Sequence, residues 1–116
     1  MRHESAAYLW GAAEAARSVI TFLDGVSWDQ FTQDAMRRSA VERQLEILGE
    51  SLNRVRRTDP RIAAQIRDVS RIVGMRNILA HEYGTVDARL VYEAGTRKVP
   101  TLLPQIEALL PASSDG

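Results

Sequence analysis

Apolar residues recur along this chain at three- and four-residue steps, a helical period that persists from one end to the other. Leu9, Ala12, Ala16, Val19 and Leu23 predict an amphipathic helix over residues 5–23 that ends near Gly25. Ser27 offers a cap ahead of a short turn. Val41, Leu45, Leu48, Leu52 and Val55 then follow a near-heptad spacing that predicts a second helix. Such a stripe serves either packing inside one chain or a two-fold seam between copies. Asp59-Pro60 is a helix start by chemistry, with aspartate as cap and proline in the first turn. The helical pattern resumes at about Asp68, runs to Tyr83 and stops at Gly84. Asp87 opens a last helix carrying Leu90, Val91, Ala94, Val99, Leu102, Leu103, Ile106 and Leu110, which Pro100 and Pro104 are expected to kink or restart. No β-hairpin signal or repeat interrupts this series. The expected fold is all-α, an antiparallel up-and-down bundle of four to five helices. A single domain is expected over residues 1–110, followed by a flexible tail over 111–116.

The chain has 116 residues and no cysteine, which removes disulfide frameworks, cysteine-held zinc and thiol chemistry. Glu14 and Arg17 interrupt the first apolar stretch, so neither a signal peptide nor a membrane span is expected, and the expected location is the cytoplasm. Fifteen basic and fifteen acidic side chains cancel overall, but they are unevenly placed. Residues 54–76 hold seven basic and two acidic side chains, and fourteen of the fifteen basic residues are arginine. The planar guanidinium suits bidentate contact with phosphate, which makes RNA a plausible partner. The other reading of Arg54, Arg56, Arg57, Arg61, Arg67 and Arg71 is a solvated face paired with the acidic N-terminal half.

The helix before Gly84 is apolar nearly all round, yet its last two turns hold Arg76, Asn77, His81 and Glu82. A charge in that setting must meet a carboxylate, a phosphate or water. Asn77 and His81 are four residues apart on one face, and Gly74 is angularly close, leaving room for another backbone or a ligand. One reading is structural: His81 interacts with the helix C-terminus and Arg76 bridges to Glu50. The other is chemical: Arg76 holds a phosphate while His81, titrating near neutrality, moves protons. Five residues separate Arg76 and His81 by roughly 140° on a helix. Two fourth helices paired across a two-fold axis could therefore bring each histidine to the other copy's arginine.

Arg76, Asn77 and His81 together resemble the motif of the HEPN superfamily: arginine, a polar residue, variable positions and histidine near a helix end. Tyr83 after the histidine, Gly74-Met75 before the arginine and Gly84-Thr85-Val86-Asp87 beyond resemble the HepT branch. So does Leu48-Gly49-Glu50-Ser51-Leu52-Asn53 in the second helix. The likeness runs from the first helix to the Val99-Pro100 region. It departs at Arg67-Asp68-Val69, where many relatives have Ile-Pro-Trp.

The resemblance implies a homodimeric, metal-independent endoribonuclease with no cofactor, the toxin of a type VII-like toxin–antitoxin pair. His81 would be its acid/base, Arg76 its phosphate ligand and Asn77 a supporting residue. The implied partners are substrate RNA and a cognate minimal nucleotidyltransferase antitoxin (the MntA type) that transfers adenylate to Tyr83. The alternative is a non-catalytic HEPN module that binds the nucleotidyltransferase, nucleotide or RNA. A charge patch supplies affinity for phosphates and no base code, so the RNA target is not written in it.

Overall fold

The computed structural model describes residues 2–81 and 87–111, the side chains of Ala80 and His81 excepted. The described chain is helical, in the order α1 (His3–Leu23), α2 (Trp28–Gln33), α3 (Ala35–Thr58), α4 (Pro60–Ala63), α5 (Val69–His81), α6 (Ala88–Glu93), a π turn (Ala94–Lys98) and α7 (Val99–Leu109). This is the all-α bundle expected from the pattern. No described helix is long and apolar enough to cross a membrane.

The near-heptad stripe resolves in favour of packing within the chain, since Val41, Leu45, Leu48, Leu52 and Val55 are all buried. They face α1, whose Leu9, Ala12, Ala16 and Val19 are fully buried in turn. Arg54 lies over the ring of Tyr8, Gly11 lies against Ser51, and the Arg37 guanidinium donates to the carbonyl of Phe22. Residue numbers fall along one helix as they rise along the other, so α1 and α3 are antiparallel. Helix α5 lies against α3, and α7 against α1.

Local chemistry sets the ends. Ser27 and Gln30 form a capping box at α2, Ser27 Oγ accepting from Gln30 N at 3.1 Å and Gln30 Oε1 from Ser27 N at 2.9 Å. Asp34 caps α3 by accepting from Arg37 N at 3.0 Å. Asp87 accepts from Arg89 N at 2.9 Å ahead of α6. Asp59 departs from expectation: its side chain makes no cap hydrogen bond, and α4 starts on the proline with Asp59's carbonyl accepting from Ile62 and Ala63. Before α5, Asp68 takes φ 61°, a left-handed conformation that aspartate tolerates better than most residues. Its carbonyl then accepts from Arg71 and Ile72.

The two prolines of the last helix are absorbed rather than breaking it. Pro100 falls in the first turn of α7, directly after the π turn, in which Val99 N reaches back five residues to Ala94 O. The wider turn shifts the ladder just where proline's missing N–H would leave a gap. Thr101 Oγ1 donates to Arg97 O at 3.1 Å and Gln105 Nε2 to Thr101 O at 3.2 Å, lending side-chain donors to this stretch.

The contact of α5 with α3 is made at Gly49. A Cβ added there would overlap Cβ of Arg76 and sit 3.0 Å from the carbonyl oxygen of Ile72. Gly74, singled out from sequence as the place for a close approach, has nothing within 4 Å of an added Cβ. The glycine that admits a neighbour is therefore on α3, not on α5. Gly49→Ala should destabilise the fold by about 1–3 kcal/mol through overpacking. Gly74→Ala should stabilise it by up to about 1 kcal/mol through helix propensity. Urea denaturation of both variants checks the contrast, and a concentration-dependent loss in Gly74→Ala would show that a second chain covers that face.

Candidate functional site

Because Gly49 has no side chain, the stem of Arg76 runs directly across α3, with Cγ 3.1 Å from where a Cβ would stand. That route carries the guanidinium one residue along α3 to Glu50, whose Oε2 pairs with Arg76 Nη2. Oε2 is shielded from solvent and makes no directional hydrogen bond; the Arg76 charge is what faces it. Arg76 Nη1 donates to Asn77 Oδ1 at 2.5 Å. The carboxylate anticipated as a bridge for Arg76 is thus its partner, and Asn77 is the neighbouring acceptor.

Glu50 serves two arginines. Its Oε1 accepts from Arg54 Nε at 3.1 Å, one turn further along α3. Arg54 in turn has its guanidinium carbon 5.6 Å from the centre of the Tyr8 ring on α1. The Tyr8 phenol first, and the Glu50 carboxylate after it, hold the Arg54 guanidinium charged even beyond its already high range. Arg43 donates to Glu46 at 3.1 Å. Tyr8, Arg43, Glu46, Glu50, Arg54 and Arg76 line one cleft of about 440 Å³ among α1, α3 and α5. The signal of this cleft in the sequence is the spacing of Arg43, Ile47, Glu50 and Arg54, a second helical stripe on α3 offset from the buried one.

His81 occupies the last position of α5, five residues beyond Arg76, and its side chain is not described. Tyr83 lies outside the described residues, as do Glu82 and the tail over 112–116. The structure therefore brings Arg76 and Asn77 together with Glu50 and sets the backbone of His81 further along the same helix.

The basic run is exposed except for half-buried Arg56, and it is only partly paired. Arg54 meets Glu50, and Arg56 donates to Asn53 at 3.0 Å. Arg57, Arg61, Arg67 and Arg71 are exposed, and no described carboxylate pairs with them. The acidic N-terminal half does not neutralise this face among the described residues.

Helix α5 is buried on one side only. Ile72 and Val73 are buried, Met75 and Leu79 half-buried, and Ile78 is 42% exposed. The apolar ring read from sequence is thus covered by α3 on one flank and open on the other.

Comparison with known proteins bears on the whole of this arrangement. No solved structure matches the chain. The curated protein "Putative RNase MJ1380" of Methanocaldococcus jannaschii is 34% identical over 101 residues, covering 87% of this chain and 92% of that one. "Probable ribonuclease HepT" of Thermococcus cleftensis is 30% identical over 111 residues, covering 94% and 98%. The family model described as "Ribonuclease HepT-like" matches residues 12–109, from the middle of α1 to the end of α7. The chain belongs to the HepT-like ribonuclease family of the HEPN superfamily.

Proposed function

We propose that this protein is a metal-independent endoribonuclease, acting as the toxin of a toxin–antitoxin pair, with Arg76 and His81 as its reacting groups. The observation that carries the reading is Arg76: its guanidinium is held at the wall of an open cleft by Glu50 and Asn77, on the helix that ends at His81. Family membership supplies the reaction class. In the proposed reaction the ribose 2′-hydroxyl attacks the adjacent phosphate, the 5′-oxygen leaves, and a 2′,3′-cyclic phosphate forms. His81 moves the proton and Arg76 neutralises charge on the phosphoryl oxygens. Asn77 supports by orienting the guanidinium.

A homodimer belongs to the same reading. Its support is the exposed Ile78 beside half-buried Met75 and Leu79 on α5, together with the roughly 140° that separate Arg76 and His81 along one helix. The regulatory half concerns Tyr83, two residues beyond His81. Adenylate joined to its hydroxyl by a nucleotidyltransferase antitoxin would add a phosphodiester charge and bulk two residues from His81, in competition with the RNA phosphate.

Purified protein incubated with cellular RNA in excess chelator should yield fragments ending in cyclic phosphate. Arg76→Ala and His81→Ala should lose the cleavage by at least about a hundredfold, the scale of general acid–base catalysis. Intact RNA with wild-type protein would move the assignment to a non-catalytic binding module. Co-expression with the cognate nucleotidyltransferase should raise the intact mass by whole adenylate units. Tyr83→Phe should show no increase, and an increase that persists in that variant would place the modification elsewhere.

A further inference from the structure

The Arg76 wall is only one end of the cleft, and the proton chemistry leaves the rest of it unused. The remainder combines an aromatic ring, half-buried Tyr8, with the Arg54 guanidinium over it, and the exposed Arg43 lines the same cleft. Aromatic and guanidinium planes are the two surfaces on which single-stranded RNA bases stack. Three guanidinium groups face two carboxylates, so the lining keeps a net positive charge. The volume of about 440 Å³ falls within the range of sites for small ligands.

Nor do the ion pairs in the cleft explain themselves as stabilising elements. The Arg43 and Arg54 side chains are 65% and 53% exposed in their pairs with Glu46 and Glu50. Pairs so open to solvent contribute little to folding, and an incoming phosphate displaces them at little cost.

We propose that this cleft is a subsite for one nucleotide of single-stranded RNA, its base stacked on the platform that Arg54 and Tyr8 form together and its phosphate held by Arg43. The strand then continues toward Arg76. That the ligand is RNA rests on the ribonuclease reading above; the subsite itself rests on the cleft.

The test separates binding from cleavage. A short single-stranded RNA with 2′-O-methyl groups throughout cannot be cut, and its affinity for the full-length protein is read by fluorescence anisotropy as salt is varied. Tyr8→Leu should weaken binding on the order of tenfold, and Tyr8→Phe, which keeps the ring, should not. Arg43→Gln should weaken binding and reduce the slope of log affinity against log salt by about 0.7, the amount for one phosphate contact on a single strand. Wild-type affinity in a folded Tyr8→Leu overturns the proposal. Should that variant not fold, unchanged affinity and slope in Arg43→Gln overturn it equally, because Arg43 is exposed and unfolding is not at issue. Absence of binding by the wild type also overturns it. Tyr8-dependent binding without cleavage of ordinary RNA would uphold the subsite and remove the nuclease reading, whereas cleavage with full affinity in Tyr8→Leu would do the reverse.

Discussion

The approach of α5 to α3 at Gly49 is the constraint on which the candidate site depends. Two helices usually meet through interdigitated side chains at 8–10 Å. Here one of them contributes no side chain, so the Ile72 carbonyl and the Arg76 stem lie directly on the α3 backbone. A long polar side chain that starts this close to the neighbouring helix reaches past the apolar seam to its far edge. Glu50 stands there, one residue beyond the glycine. Ile72 and Val73, one turn earlier on α5, seal the seam behind it.

Helix α3 consequently carries two programmes at once. Val41, Leu45, Leu48, Leu52 and Val55 fill the core, while Arg43, Ile47, Glu50 and Arg54 repeat the same three- and four-residue steps along the cleft. Because both stripes are fixed to one rigid helix, packing of the first against α1 sets the position of the second. Tyr8 comes from α1 and is brought to Arg54 by that same antiparallel packing. The geometry of the cleft is thus a by-product of the core, and no loop among the described residues is needed to build it.

This explains which features were legible in the sequence. Helical period, the buried stripe and the Ser27 and Asp87 ends follow from local spacing and capping chemistry, whereas the Asp34 cap of α3 appears only in the structure. The Arg76 bridge to Glu50 was readable because a charge on an apolar helix demands a partner. The choice of glycine was not readable. Gly49 and Gly74 are both helical, and only the crossing point of two helices, a tertiary fact, decides which one admits a neighbour. Asp59 looked like a side-chain cap because its type and its proline neighbour fit, but its carbonyl does that work. The π turn escaped for a related reason: prolines announce a gap in the ladder, not whether the chain breaks or widens to accommodate it. Tyr8 carries no sign of a site in the sequence, because a lone aromatic in a first helix has no local signature beyond packing.

The pairing of Arg76 with Glu50 does not remove it from chemistry. A guanidinium carries five N–H donors in a planar fork. Nη2 faces Glu50 and Nη1 faces Asn77, so these two contacts leave donors over for a phosphate. Glu50 is itself shared with Arg54, and two cations on one carboxylate leave an excess positive charge at the wall. In the proposed reaction an arriving phosphate would meet an arginine already oriented, without first breaking the contact that orients it. A lysine in the same place would offer a single rotating ammonium, and its charge would be spent on Glu50. An arginine at position 76 suits the proposed role by its geometry, anchored on Glu50 and Asn77 with donors left over.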